Sequence, residues 1–196
     1  MSTLSYYNAK ALDFYDRTIN TDMSHVYKKF LEHLPKGAHI LDAGCGSGRD
    51  SKYFLRKGYE ITAFDGSQEM VLLAEKELGK SVLHMLFQDL NFEEKFDGVW
   101  ACASLLHIPY EETKDVYKRI HNALKPNGVF YASYKHGDSF MNTDGRDFYN
   151  MNEMTILPYL NDLFDVIEIW QTAARSCVAP SPSNAWLNFV VKKKGL

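Results

Sequence analysis

The sequence predicts an α/β domain built on a largely parallel sheet. Three observations carry this reading. Strand-like apolar runs alternate with helix-like runs along the chain. The first such run ends in a glycine-rich turn that opens a helix. The last two strand-like runs follow each other with no helix pattern between them, as in an antiparallel hairpin at one edge.

The elements follow in order. Residues 24–34 read as a helix, with Ser24 as cap and Val26, Phe30, Leu31 and Leu34 on one face. Residues 38–42 are the first strand, and 50–57 a short helix that Gly58 ends. A second strand over 60–64 stops at Asp65. Ser67 then caps a helix whose Met70, Val71, Ala74 and Leu78 share a face, and Gly79 closes it. Strands three and four fall at 82–87 and 96–101. Pro109 opens a helix with Val116, Ile120 and Leu124 in phase, ended by Pro126-Asn127-Gly128. Strand five covers 129–134. Residues 135–151 read as a polar loop of a length that suggests function. A short helix within 152–162 carries Pro158 inside it. The last strands are 164–171 and 185–192, joined through CVAPSPSN.

Composition sets bounds. The chain has 196 residues, 45% hydrophobic and 14% aromatic, enough for the core of one domain. No apolar run approaches the roughly 20 residues of a bilayer span, and the start lacks a signal pattern. A cytoplasmic protein without membrane association is the expectation, as monomer or homodimer. A net charge of −3 gives no support to a broad nucleic-acid-binding face. Cys45, Cys102 and Cys177 stand singly, with neither disulfide nor metal-ligand spacing, so no metal is expected.

The chemistry starts at residues 40–50, ILDAGCGSGRD. A strand that stops at a glycine turn and feeds a helix brings backbone N–H groups and the positive helix end to one point. Gly44, Gly46 and Gly48 alternate, so the third glycine comes one residue earlier than in the dinucleotide fingerprint. Asp42 ends the strand, where a carboxylate would repel a pyrophosphate but accept from an amine. A ligand with an amine and a single carboxylate fits better, which describes the amino-acid end of S-adenosylmethionine. Asp65 ends the second strand, where a carboxylate can take both ribose hydroxyls; this position serves NAD equally well. Asp89, in Gln88-Asp89-Leu90, can accept from an adenine amine, with Met70, Phe87 and Leu90 available for apolar contact.

These stretches, with FDGVWACASLLHI and ALKPNGVFYASYK, come in register over about residues 38–135. Together they resemble the class I S-adenosylmethionine-dependent methyltransferases, and within them small bacterial enzymes near the tellurite-resistance group. The resemblance implies a Rossmann-like, doubly wound seven-stranded sheet, parallel except for one reversed edge strand. It implies one domain over 1–196, with residues 1–35 a helical lid and 36–196 the core. It places Gly44, Cys45 and Gly46 at the methionine moiety, with Asp42 on its amine. Asp65 and Gly66 fall at the ribose, Gln88, Asp89 and Leu90 at the adenine, and Ala101 beside the sulfonium. Arg49 can pair with the cofactor carboxylate. Tyr7, Tyr15 and Arg17, in the aromatic stretch 6–18, are candidates to close over the cofactor.

Methyl transfer is an in-line displacement for which alignment suffices, so a base is optional. The candidate base is His107, just after the fourth strand, with a pKa suited to proton removal. Tyr134, Lys135, Arg146, Tyr149 and Arg175 are candidate acceptor contacts, and Trp186 a candidate aromatic wall. Arg146 suits a carboxylate or phosphate. The fourth strand is followed by CASLL rather than an Asn-Pro-Pro-Tyr or Pro-Cys motif, which argues against methylation of a nucleic-acid amine or pyrimidine carbon. The leading reading is methylation of a small molecule, giving S-adenosylhomocysteine. Methylation of tRNA or protein is the second. An NAD-linked oxidoreductase is the reading from another class.

Overall fold

A computed structural model describes residues 2–173 and 185–195. Three helices, α1 (Thr3–Ala9), α2 (Ala11–Thr18) and α3 (Ser24–Leu31), lead into β1 (His39–Ala43), α4 (Arg49–Arg56), β2 (Glu60–Asp65), α5 (Gln68–Leu78) and β3 (Leu83–His84). The chain continues through β4 (Phe96–Ala101), α6 (Tyr110–Ala123), β5 (Leu124–Lys135), β6 (Phe140–Thr143) and β7 (Arg146–Tyr149). It closes with α7 (Glu153–Leu160), β8 (Phe164–Ala173) and β9 (Ala185–Lys193).

Seven strands form one sheet in the order β3-β2-β1-β4-β5-β9-β8. The pairs from β3 to β5 are parallel; β9 runs antiparallel to both β5 and β8, so it alone is reversed, within the edge hairpin. Apolar clusters cover both faces. One holds Leu41, Val99, Phe130, Tyr117 and Phe189. The other holds Ile40, Phe30, Phe54, Trp100 and Tyr131, with Trp100 stacked on Tyr131 at 3.9 Å between centroids. Val26, Tyr27 and Phe30 anchor α3 to this second face, and a fully buried phenylalanine contributes about 1.5–3 kcal/mol. The stagger of parallel strands gathers all their C-terminal ends, and the loops after them, at one rim.

Several expected elements change. Ser24 is the first helical residue of α3, and its N–H is capped by Asp22 Oδ1 at 2.9 Å. β3 shrinks from six residues to Leu83–His84, because Leu83 and Leu86 lie exposed at the sheet edge and residues 87–89 turn into a short 3-10 helix. β5 begins at Leu124, which pairs with Phe96, so Pro126-Asn127-Gly128 forms an irregularity inside the strand rather than a break before it. The polar loop 135–151 contains the β6–β7 hairpin. Asp144 and Gly145 both have positive φ (55° and 80°), as a two-residue type I′ turn requires. CVAPSPSN, with Cys177 and Arg175, lies outside the described residues.

Candidate active site

The rim of strand ends opens into a cavity of about 1130 Å³. Its floor is the glycine turn. Gly44 has φ 74°, and a Cβ there would meet Ser104 Cβ at 2.5 Å, so only glycine lets the loops after β1 and β4 approach. The turn is internally bonded: the N–H groups of Gly44 and Cys45 donate to Phe64 O, that of Gly48 to Cys45 O, and that of Gly46 to Asp65 Oδ2 at 2.8 Å. The free anion-binding glycine N–H groups expected here are therefore already used. Gly44, Cys45 and Gly46 supply shape and wall the cavity. Burial pushes the Cys45 thiol well up, leaving it an uncharged wall group.

Asp65 also walls the cavity. Oδ1 accepts from Ser67 N and Oδ2 from Gly46 N, both at 2.8 Å. A carboxylate has about four lone-pair sites, so each oxygen keeps one for a ligand. Burial raises its pKa, against the lowering effect of these two N–H groups. Gly66 stands beside it, where a Cβ would press on Leu86 Cδ2 at 2.9 Å. Met70, Met85 and Phe87 complete an apolar floor next to this acid.

Asp42 departs from its expected role. It is buried beneath the turn, off the cavity wall, and accepts from Ser51 Oγ at 2.6 Å. Burial, with Asp50 close by, pushes its pKa up to about 8, so at neutral pH it is mostly a neutral acid. Arg49 does reach the cavity, gripping Asp50 in a bidentate pair (Nε–Oδ1 2.6 Å, Nη2–Oδ2 3.0 Å). Tyr27 Oη (2.5 Å) and Trp100 Nε1 (2.8 Å) also donate to Asp50. Burial alone would raise Asp50, but Arg49 and these donors hold its carboxyl below the usual range. Arg49 is thus held with Nη1 unbonded to any described residue.

After β3, Gln88 walls the cavity, its amide tied to Glu112 at 2.6 Å. Asp89 does not wall it: it is exposed and caps its own turn through Leu86 N at 3.0 Å. Leu90 is buried in the core. Ala101 is likewise fully buried, and the wall beside it comes from Cys102, Ala103 and Ser104. Ala103 has φ 53°, a strained value for alanine, and its N–H is held by Ser133 Oγ at 2.9 Å.

In the loop after β4, His107 walls the cavity with both ring nitrogens engaged. Nδ1 lies 2.5 Å from Asp147 O, a pure acceptor, so Nδ1 carries the proton and Nε2 accepts from Tyr7 Oη at 3.0 Å. Burial lowers its pKa to about 4. The lone pair required of a free base is occupied, and His107 serves as a docking point for α1. Thr3 Oγ1, accepting from Asp147 N (3.0 Å), and Asn8 Oδ1, accepting from Ser67 Oγ (2.7 Å), dock the same helix.

Strand alternation sorts the remaining candidates. Tyr131, Ser133 and Lys135 of β5 face the cavity, and so do Arg146 and Phe148 of β7. Tyr134 points the other way, buried against Tyr117 Oη at 2.8 Å. Tyr149 packs on Tyr110 and Phe140. Tyr15 bonds Glu77 at 2.8 Å on the far side of α2, and the exposed Arg17 bonds Asp13 O. Neither touches the cavity. Phe148 and Asn188 join the wall without having been singled out in the sequence, although Phe148 shares the parity of Arg146.

Solved structures share this fold. The crystal structure of 1,6-didemethyltoxoflavin-N1-methyltransferase from Burkholderia thailandensis, with 1,6-didemethyltoxoflavin and S-adenosylhomocysteine bound, matches with a TM-score of 0.80. It is 24% identical, over 98% of this chain and 87% of that one. Magnesium protoporphyrin IX methyltransferase from Synechocystis, with S-adenosylmethionine bound, matches with a TM-score of 0.73 at 19% identity, over 97% of this chain and 94% of that one. The fold is that of the class I S-adenosylmethionine-dependent methyltransferases. Residues 40–128 match the methyltransferase domain family. The chain is 30% identical over 172 residues to YqeM of Bacillus subtilis, which is named as a methyltransferase. That match takes in 79% of this chain, which spans 63% of the relative's length. Residues 40–128 thus carry the match to the methyltransferase domain family, on a fold shared with S-adenosylmethionine-dependent methyltransferases.

Proposed function

We propose that the protein methylates a small-molecule acceptor at the mouth of this cavity, with S-adenosylmethionine as donor. The observation that carries the reading is Asp65, set on the cavity wall by Gly46 and Ser67 with one acceptor site left on each oxygen. That geometry suits two vicinal hydroxyls. The apolar floor of Met70, Met85 and Phe87 suits an adenine ring, and Arg49 offers Nη1 to a carboxylate.

When bound, S-adenosylmethionine supplies an electrophilic methyl group on a sulfonium. The protein contributes alignment, which can lower a barrier by about 7–11 kcal/mol in favourable systems. Helices α1 and α2 act as the lid. Tyr7, docked on His107, closes the cavity over the reacting groups and limits water. His107, the candidate base, has both ring nitrogens engaged, so the acceptor enters with its nucleophilic lone pair available or releases its proton to solvent. The cavity, walled by residues of α1, β5 and β7, favours a small acceptor over tRNA or a protein chain.

Transfer of label from methyl-labelled S-adenosylmethionine into separated metabolite, RNA and protein pools tests this. Label in the metabolite pool is the expected result. Label confined to RNA or protein would establish the alternative acceptor.

A further inference from the structure

We infer that the acceptor carries an anionic oxyacid group, which Lys135 and Arg146 hold at the acceptor end of the cavity. This rests on the methyl-transfer reading above and adds the substrate's charge to it.

The two cations stand at facing strand ends, Lys135 closing β5 and Arg146 opening β7, and both wall the cavity. Their side chains converge on Phe148: Lys135 Nζ lies 3.5 Å from its ring centroid and the Arg146 guanidinium 5.1 Å. Among the described residues the Lys135 ammonium makes no ion pair and no hydrogen bond, although its backbone joins the sheet. Among the described residues Arg146 pairs with one carboxylate, that of the exposed turn residue Asp144 at 3.6 Å, and its guanidinium also lies against the Tyr7 hydroxyl. The Arg146 Nε–H is buried and meets no acceptor among the described residues. A buried guanidinium donor without a partner has given up its water without replacement, so native structures rarely leave one unmet.

Two like charges held this close also repel. Burial, and then Arg146, lowers the Lys135 pKa. Among the described residues, the exposed Asp144 is the one carboxylate paired with either cation. Asp147 sends its side chain to Asn142 and its carbonyl to His107. The aromatic faces of Tyr6 and Phe148 brace the guanidinium, with Tyr6 at 4.4 Å, but they satisfy no N–H. A carboxylate or phosphate between Lys135 and Arg146 would take up the free Nε–H, neutralise the repulsion and be held by charge-assisted bonds. Trp186, paired with Lys135 across β5 and β9, offers an apolar wall for the rest of the molecule. Tyr6 belongs to α1, so the same guanidinium also meets the lid.

The test uses the S-adenosylhomocysteine-loaded protein and nitrogen-15 NMR of arginine Nε–H groups, with Arg146→Lys assigning the Arg146 signal. Benzoate, phenyl phosphate and neutral benzamide are titrated in turn. The expected result is a saturable shift of the Arg146 signal with one or both anions and none with benzamide. The anion that saturates first distinguishes carboxylate from phosphate. Lys135→Met, or Lys135→Gln if the first variant does not fold, should raise the half-saturating concentration roughly tenfold. No saturable shift with either anion, or an equal response to benzamide, overturns the inference. Calorimetric loading with S-adenosylhomocysteine is scored first. Failure to load sinks the methyl-transfer reading, whereas loading without anion binding sinks only this one.

Discussion

The hydroxyl of Tyr7 donates to Nε2 of His107 across 3.0 Å, joining helix α1 to the loop that follows β4, exactly one hundred residues away in sequence. This bond anchors α1 on the cavity wall. Tyr7→Phe removes it and leaves the ring contacts to Phe14 and His107 in place. A net hydrogen bond is worth about 0.5–1.5 kcal/mol. We expect S-adenosylhomocysteine to bind about twofold to tenfold more weakly, through faster dissociation in stopped-flow displacement. An unchanged dissociation rate would separate Tyr7 from closure.

His107 sets a pH dependence. Its pKa falls from 6.5 to about 4 on folding, so between these values the unfolded chain binds more protons. Its contribution to stability is full above pH 6.5 and is lost as pH falls toward 4. We expect the melting temperature to drop across that window. The drop should be shallower in His107→Gln, which does not titrate. Equal slopes in the two proteins would assign the effect elsewhere.

Asp42 works with the opposite sign. Its carboxyl titrates near 3.8 when unfolded and about 8 when folded, so the native state holds the extra proton and stability falls as pH rises between them. Asp42→Asn imitates the neutral acid and can still accept from Ser51. We expect the variant to melt higher than the parent at pH 8, with the gap closing at pH 5, and to bind S-adenosylhomocysteine nearly as well. A collapse of affinity would return this carboxylate to the ligand.

Gly44 carries the close approach of two loops. Gly44→Ala adds a methyl at a positive φ and 2.5 Å from Ser104 Cβ. We expect a loss of about 1–3 kcal/mol in chemical denaturation and a larger loss of cofactor affinity. Ser104→Gly in the same chain should recover part of the affinity, since it removes the clash but not the strain. No recovery would show that backbone strain alone is at fault.

The parts legible in sequence are those set by local physics. β1, β2 and β4 come from short apolar runs, and α5 from Ser67 and Gly79 at its ends. Asp65 and Gly44 were recognisable because a strand end and a turn tolerate few other residues. Tyr134 and Tyr149 went astray on parity. Each sits one residue from a cavity-facing position, and a one-residue step in a strand turns a side chain to the other face. The Asp144-Gly145 hairpin had a readable turn signal, but its polar strands lack apolar alternation. Asp42 and His107 were beyond reach for another reason. Their roles depend on Ser51 and Asp50 in one case, and on Tyr7 and Asp147 in the other, partners that only the fold brings near.

The central claim is that Asp65 anchors a nucleoside in this cavity. Calorimetry of the parent and of Asp65→Ala with S-adenosylhomocysteine, and with NAD as control, tests it most directly. The account expects one molecule of S-adenosylhomocysteine per chain, negligible NAD binding, and affinity reduced roughly a hundredfold or more in Asp65→Ala, as for a lost pair of hydrogen bonds to a charged acceptor. Tight NAD binding, or an Asp65→Ala protein that binds S-adenosylhomocysteine as the parent does, would contradict it.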